Sequence, residues 1–107
     1  MVYTQSNQTL AATGTPQSLS GGTTRSIAVW VEVQALDNNS AEIYVGGVNP
    51  ANKSASLVLK SGRVGIKLVA GATMMFPQVS GISFYDMSTM YASGTSGDGY
   101  SVTYAIK

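Results

Sequence analysis

The sequence predicts a single all-β domain, an antiparallel sandwich or a small barrel, from three observations. Apolar residues recur at every second position in several stretches, which is the period of a strand and not of a helix. Roughly seven to nine such short strands are separated by turn-forming residues, and no amphipathic stretch exceeds one helical turn. A length of 107 residues allows one hydrophobic core and no second domain.

The first segment, residues 4–24 (TQSNQTLAATGTPQSLSGGTT), carries no charge and consists mostly of Thr, Ser, Gln, Gly and Ala. This composition is typical of a flexible arm, and short edge strands around Leu10 and Leu19 are the alternative. We favour an arm that is partly ordered by contact, because both leucines would otherwise be exposed. The chain is therefore divided into residues 1–24, a polar N-terminal arm or edge strands, and residues 25–107, the β-sandwich domain.

The clearest strand lies in RSIAVWVEVQAL, where every odd-numbered residue from 27 to 35 is apolar. The even-numbered positions are mixed and include Trp30 and Glu32. This alternation predicts a strand with one buried face and one half-exposed face. Residues 37–40 (DNNS) favour a turn, so that AEIYV, at residues 41–45, is expected to return as the neighbouring strand.

The remaining strands follow in the same manner. NPANKS, at residues 49–54, is a surface loop by composition. Glycines interrupt the apolar runs of residues 56–71, which indicates turns or bulges, and ATMMFP, at residues 72–77, is a short strand that ends at a proline. Residues 81–94 contain a single helical turn at 86–88 and a strand at 90–92. The last strand, GYSVTYAIK, places four apolar or aromatic residues on one face: Tyr100, Val102, Tyr104 and Ile106.

Composition excludes several kinds of chemistry. The chain has no cysteine, so it cannot form disulfides, thiolate nucleophiles, zinc–thiolate sites or iron–sulfur clusters. It has no histidine, which removes the commonest general base and the commonest transition-metal ligand. We therefore expect no enzyme: no catalytic residue, no metal site and no cofactor.

Charge and targeting signals are equally sparse. Charged residues make up 10% of the chain and the net charge is +1, so no long-range field attracts nucleic acid or an anionic membrane. The N-terminal residues lack a basic and an apolar region of the kind found in a secretory signal. No apolar run approaches the ~18–20 residues of a membrane span. We expect a soluble protein made in the cytoplasm, which could leave the cell by lysis as part of a particle.

Most of the basic residues are clustered. Lys53, Lys60, Arg63 and Lys67 lie in one stretch that contains no acidic residue. The simpler interpretation is a set of solvated strand and loop ends. The alternative is a mildly basic face that meets an acidic partner protein.

Two loops have the composition of ligand sites. GTSGDG, at residues 94–99, is rich in glycine, but Tyr100 stands where a phosphate-binding loop requires lysine, and one aspartate is too few for a calcium repeat. We favour a hairpin turn at Asp98 and Gly99. DNNSAE, at residues 37–42, lacks the spacing and the central glycine of a calcium loop, and is also interpreted as a turn.

The face of the first long strand that carries Trp30, Glu32 and Gln34 has two interpretations. Trp30 packs into a subunit interface or under a loop, or it stacks on a sugar that the carboxylate and the amide hydrogen-bond. A glycosidase would need a second carboxylate within ~5–10 Å, and Glu42, on the expected neighbouring strand, is the candidate. We favour the packing role for Trp30.

The phrases IAVWVEVQAL, AEIYVGG, VGIKLVAGATMMFP and MSTMYASGTSGDGYSVTYAI resemble small virion proteins of tailed bacteriophages, those that decorate the head or build head fibres. The resemblance covers approximately residues 27–106. The shared motifs are structural, so no functional residue is carried over. LVAG, at residues 68–71, departs from the pattern, in which a proline precedes the glycine.

The resemblance implies a jelly-roll-like β-sandwich, often a trimer, bound to the exterior of the virion capsid. The expected function is that of a decoration (cement) subunit, with the major capsid protein as its partner and no nucleic acid or membrane. The alternative is a carbohydrate- or receptor-binding module of a phage fibre or tail. Candidate interface residues are Trp30, Lys53, Lys60, Arg63 and Lys67.

Overall fold

A computed structural model describes residues 2–19, 27–47, 65–78 and 85–106, without the side chains of Ser6 and Asn7. The strands of these segments are, in chain order, β1 (Val2–Thr9), β2 (Gln17–Ser18), β3 (Ile27–Ala35), β4 (Ile43–Gly46), β5 (Ile66–Leu68), β6 (Thr73–Phe76), β7 (Tyr85–Asp86), β8 (Tyr91–Ser93) and β9 (Gly99–Ile106). A 3₁₀ turn, Met87–Thr89, follows β7.

The strands form two antiparallel sheets. Sheet 1 has the order β1-β9-β3-β6, with β7 also paired to β3, and sheet 2 has the order β2-β8-β4-β5. The pairs β1 with β9, β2 with β8, β3 with β6 and β4 with β5 are nested along the chain and alternate between the sheets. The chain therefore resembles one long antiparallel hairpin rolled into two sheets, which is a jelly roll. The predicted all-β sandwich is confirmed.

This topology corrects two expectations of local pairing. β3 lies in sheet 1 and β4 lies in sheet 2, so the two are not partners across the turn at residues 37–40. β8 and β9 are likewise in different sheets, so the GTSGDG loop crosses between sheets and does not close a hairpin. Turn-forming residues specify that the chain reverses, but not which sheet the next strand joins.

The core lies between the sheets and draws side chains from both. Sheet 1 contributes Val31, Val33, Tyr100 and Val102, and sheet 2 contributes Ile43, Val45 and Ala92. Leu10, Leu19, Leu68, Met87 and Met90 are also buried in this cluster. The apolar stripe that alternation predicted on the last strand faces this core, as Tyr100, Val102 and Tyr104 show.

A β-bulge changes which residues of β3 face the core. Ala28 pairs with Ile106 while Trp30 pairs with Ala105, so Val29 is the extra residue. After the bulge, Val31, Val33 and Ala35 are buried as the alternation predicted. Before it, Ala28 is buried in place of its two odd-numbered neighbours, which are half-buried. Trp30 keeps its expected place on the side of the sheet away from the core, because the alternation from Trp30 to Ala35 is regular.

The polar segment at the N-terminus contributes both edge strands on its side of the sandwich. β1 pairs with β9 at the edge of sheet 1, and β2 pairs with β8 at the edge of sheet 2. Leu10 and Leu19, which follow these strands, are buried almost completely. The sequence left two alternatives for this segment, an arm or short edge strands. Residues 2–19 contain edge strands. Residues 20–24 lie outside the described part of the chain.

The single helical turn expected at residues 86–88 is present as the 3₁₀ turn. The Asp86 carboxylate caps it by accepting hydrogen bonds from Ser88 N at 3.0 Å and Ser88 Oγ at 2.6 Å. The loop expected at residues 49–54 and the apolar run of residues 56–64 fall outside the described residues.

Candidate interaction surface

The two loops with the composition of ligand sites are bound to each other. Asp98 is buried, and its carboxylate accepts hydrogen bonds from Ser40 N at 2.8 Å, Ser40 Oγ at 3.0 Å and Ala41 N at 3.1 Å. Asn39 adds a reciprocal pair with the Gly99 backbone, in which Gly99 N donates to Oδ1 at 2.8 Å and Nδ2 donates to the Gly99 carbonyl at 2.9 Å. The polar groups of both loops therefore form a structural contact between strand connections.

The turn of the GTSGDG loop is placed earlier than the sequence suggested. Asp98 N donates to the Thr95 carbonyl at 3.0 Å, and Gly97 has a φ of 92°, which favours glycine. Gly99 is the first residue of β9. The chain therefore reverses at Ser96 and Gly97. Asp98 follows this turn, and its side chain points toward Ser40.

Hydrogen bonds also attach this loop to the N-terminal segment. Leu10 N donates to the Asp98 carbonyl at 2.8 Å, and Gly97 N donates to the Leu10 carbonyl at 3.1 Å. Ser96 N donates to Thr13 Oγ1 at 2.9 Å. Backbone amides that could have surrounded a phosphate are used within the fold, so the loop has the geometry of a structural connection.

Tyr100 links the sheets inside the sandwich. Its hydroxyl donates to the Ser18 carbonyl and accepts a hydrogen bond from Gln17 Nε2, both at 3.4 Å. Burial raises the pKa of the Tyr100 hydroxyl above its usual value of 10.0, although the hydrogen bond from Gln17 lowers it. The neutral hydroxyl is therefore part of the attachment of β2 to the core.

The outer face of sheet 1, the side away from the core, has a distinctive composition among the described strands. Strand register and alternation place ten described side chains on it: Val2 and Thr4 of β1, Ser101, Thr103 and Ala105 of β9, Trp30, Glu32 and Gln34 of β3, and Thr73 and Met75 of β6. Among these ten, Glu32 is the only charged residue, and Asp86 of β7, which pairs with Ile27 of β3, adds a second carboxylate at the end of this face. Trp30 is half-buried, whereas Val2 and Met75 are exposed.

Register brings specific neighbours together on this outer face. Glu32 lies opposite Met75 on one side and opposite Thr103 on the other. Thr103 continues the row to Thr4, and their hydroxyls are 3.1 Å apart. Trp30 lies opposite Ala105. The arrangement combines an aromatic ring and a methionine, two side-chain types enriched in protein interfaces, with a row of threonine hydroxyls.

The other predicted site residues are placed elsewhere. Lys67 is exposed on β5, at the edge of sheet 2, so it does not share a face with Trp30. Lys53, Lys60 and Arg63 lie outside the described residues, and the basic face remains a prediction. Glu42 precedes β4 of sheet 2, so it is not on a strand beside Glu32, as the glycosidase alternative required.

Other kinds of site find no support in the described segments. Within residues 2–19, 27–47, 65–78 and 85–106, no group of three or more acidic side chains could surround a metal ion, and no pocket is present. Nor does any helix in that part of the chain have the length and apolarity needed to cross a bilayer.

Sequence reasoning singled out Trp30 and Glu32 but missed Met75 and the free edge of β1 as parts of a surface. Alternation within β3 identified the first pair. The positions of Met75 and β1 depend on which strands flank β3 and β9, and no signal in the sequence shows this. Comparison with models of protein families, with curated proteins and with solved structures found no match.

Proposed function

We propose that this protein is a structural virion subunit that binds and stabilises the exterior of a bacteriophage head, with the major capsid protein as its partner. The observation that carries the proposal is the outer face of sheet 1. It exposes Met75 and Val2 beside a half-buried Trp30, and its charges among the described residues are limited to Glu32 and, on β7, Asp86. Interface cores are depleted in charge and enriched in aromatic residues and methionine.

The phage head as the target is suggested by the resemblance of residues 27–106 to decoration proteins. A jelly roll is used by proteins of many functions, so the fold agrees with this target without selecting it. The same resemblance favours a homo-oligomer, with three copies as the expected number. A mildly basic contact through Lys67 and its neighbours in sequence, with an acidic partner, is the second part of the expected interface.

The mechanism would be one of linkage. A subunit that binds the assembled shell and not its separated proteins stabilises the shell by RT ln(1 + [L]/Kd), which is about 2.7 kcal/mol at 100 times Kd. An oligomer that contacts several sites at once gains a factor of roughly 10²–10⁴ in affinity. Neither effect requires a pocket or a catalytic group.

Binding to purified phage heads tests the proposal. We expect the chain to cosediment with mature heads and not with unassembled capsid protein. Met75→Lys, on the outer face of sheet 1, should weaken binding by at least tenfold, about 1.4 kcal/mol. Thr15→Lys is the control, because Thr15 is exposed in the connection between β1 and β2, away from both the outer face of sheet 1 and the strand that carries Lys67.

Two outcomes would contradict the proposal. One is the failure of wild-type protein to bind heads at any concentration, together with its absence from purified virions by mass spectrometry. The other is equal binding of Met75→Lys and wild type, which would move the contact away from this face.

A second function is favoured by the row of Trp30, Glu32 and Gln34 along β3. All three side chains lie on the outer face of sheet 1 and are at least partly exposed. A tryptophan ring beside hydrogen-bonding groups can stack on a sugar, so the chain could instead be a carbohydrate- or receptor-binding module of a fibre or tail. Binding on a glycan array that Trp30→Ala abolishes would support this function, and a blank array would remove it.

A further inference from the structure

β1 is an unusual edge strand. It has eight residues, whereas the other strands at sheet edges, β2, β5, β6 and β7, have two to four. A strand at an edge presents N–H and C=O groups that can pair with another chain. Short edge strands limit such pairing, so among the described strands β1 offers the longest available backbone.

β1 also lacks most of the features that protect an edge. It contains no charged residue and no proline, the two side-chain types that most often prevent a second strand from joining. A register shift between Gln5 and Gln8 marks a β-bulge in its second half. Residues 2–5 remain in regular register with β9, and no other strand of the described residues pairs with this half of the edge.

Two large apolar side chains are exposed on this regular half. Val2 is 59% exposed and Tyr3 is 41% exposed. Consecutive residues of a strand point to opposite faces, so packing against one face of the sheet would cover only one of them. A strand added alongside β1 places side chains next to both.

We propose that β1 is a self-association site, at which residues 2–5 of two copies pair antiparallel about a twofold axis. A second copy is the occupant because an antiparallel pair of identical strands is self-complementary under twofold symmetry. The absence of charge on β1 means that this pairing sets no like charges against each other. The result is one continuous sheet formed from sheet 1 of each copy.

Alternation restricts the register of the pair. Residues that face each other across a ladder must point to the same side of the sheet, so even-numbered residues face even-numbered ones. The two central registers place either Tyr3 opposite its own counterpart or Thr4 opposite its own. Tyr3 stacks on Tyr104, with ring centroids 5.6 Å apart, so in the first register two ordered rings meet.

The contact is small. A ladder of four residues buries less than the ~1,200–2,000 Å² of a stable interface, so we expect a dimer with a dissociation constant on the order of 10 µM to 1 mM. The inference does not depend on the proposed function, and a twofold pair is distinct from the trimer that the resemblance implies.

Analytical ultracentrifugation of the full chain from about 10 µM to about 1 mM tests the pairing. We expect a monomer–dimer equilibrium for wild type. Thr4→Lys should raise the dissociation constant at least tenfold, because a lysine at the centre of the pairing segment blocks strand approach. Gln34→Lys is the matched control: it adds the same charge to the same outer face but on β3, two strands from the edge, and should dimerise like wild type.

Single-cysteine variants give a second measurement that does not depend on the folding of Thr4→Lys. The chain has no cysteine, so Thr4→Cys and Tyr3→Cys each contain one thiol. Under mild oxidation, the variant that matches the register should form a disulfide-linked dimer, and Gln34→Cys should not.

Three results would overturn the inference: a monomer at every concentration, a trimer, or a dimer that Thr4→Lys leaves unchanged and that neither edge cysteine cross-links. The head-binding assay separates this inference from the proposed function. If the protein dimerises through β1 but does not bind heads, only the proposed function is contradicted. If it binds heads as a monomer or a trimer, only the β1 pairing is contradicted.

Discussion

Replacing Asp98 with asparagine is the sharpest test of the contact between the two polar loops. The change keeps the shape of the side chain but converts one of its acceptor oxygens into an NH₂ donor. In the protein, Ser40 N donates to one carboxylate oxygen and Ala41 N to the other. Whichever way the new amide turns, its NH₂ group faces a backbone N–H that has lost its acceptor.

The expected loss of stability follows from these bonds. A buried N–H left without an acceptor costs about 1–3 kcal/mol, and the remaining bonds lose the charge assistance that roughly doubles their strength. We therefore expect Asp98→Asn to lower the free energy of unfolding by about 2–4 kcal/mol. In a domain of this size that corresponds to a fall in Tm of about 10–20 °C.

Urea unfolding followed by circular dichroism measures the effect, with an unchanged m value as the sign that the two states are comparable. Asp37→Asn is the matched control, since Asp37 is exposed in the same turn region, and it should change stability by less than about 0.5 kcal/mol. Ser40→Ala should cost about 1 kcal/mol and should be non-additive with Asp98→Asn. If Asp98→Asn and Asp37→Asn unfold at the same urea concentration, the loop contact does not stabilise the fold.

Three further predictions concern the core and its edges. Leu19→Ala should destabilise the domain by about 2–5 kcal/mol in urea unfolding, whereas a residue of a detachable arm would have almost no effect. Because burial raises the pKa of Tyr100, its neutral form stabilises the fold fully below the unfolded pKa of about 10, and this contribution is lost as pH rises through the folded value. Tyr100→Phe should therefore lose less stability than wild type as the pH rises above about 10, and equal alkaline slopes would contradict the assignment. Gly99→Ala should cost about 1–3 kcal/mol, because a Cβ there would lie 2.5 Å from the Gln8 carbonyl oxygen of β1. Gly47→Ala, where the nearest atom is 3.7 Å away, should be tolerated in the same urea unfolding experiment.

Much of the candidate surface could be predicted one strand at a time. Trp30 and Glu32 were placed on the less apolar face of β3 because a strand alternates with a period of two. That argument failed at the start of β3, where the bulge at Val29 reverses the alternation. A bulge depends on how the neighbouring strand pairs, and apolar residues at positions 27, 28 and 29 suit either face.

The relation between strands could not be predicted from local patterns. The turn chemistry around Asn39 and around Asp98 correctly indicated reversals of the chain, yet each reversal crosses between sheets. The reason lies in long-range pairing: β9 joins β3 and β1, and β4 joins β5 and β8, over separations that turn propensity does not sense. The same pairing brings Asp98 to Ser40, 58 positions away in the sequence.

The sequence by itself determined the all-β class, the single domain, and the absence of cysteine and histidine chemistry. These properties follow from composition and from the period of the apolar residues, which are local quantities. Only the tertiary structure decided the jelly-roll order, the burial of Leu10 and Leu19, and the structural use of the GTSGDG loop. It also decided that β1 is a long uncharged edge beside the outer face of sheet 1. The physical reason is that a side chain's surroundings in a rolled sandwich are set by strands distant in sequence, whose pairing is selected by burial of the whole core.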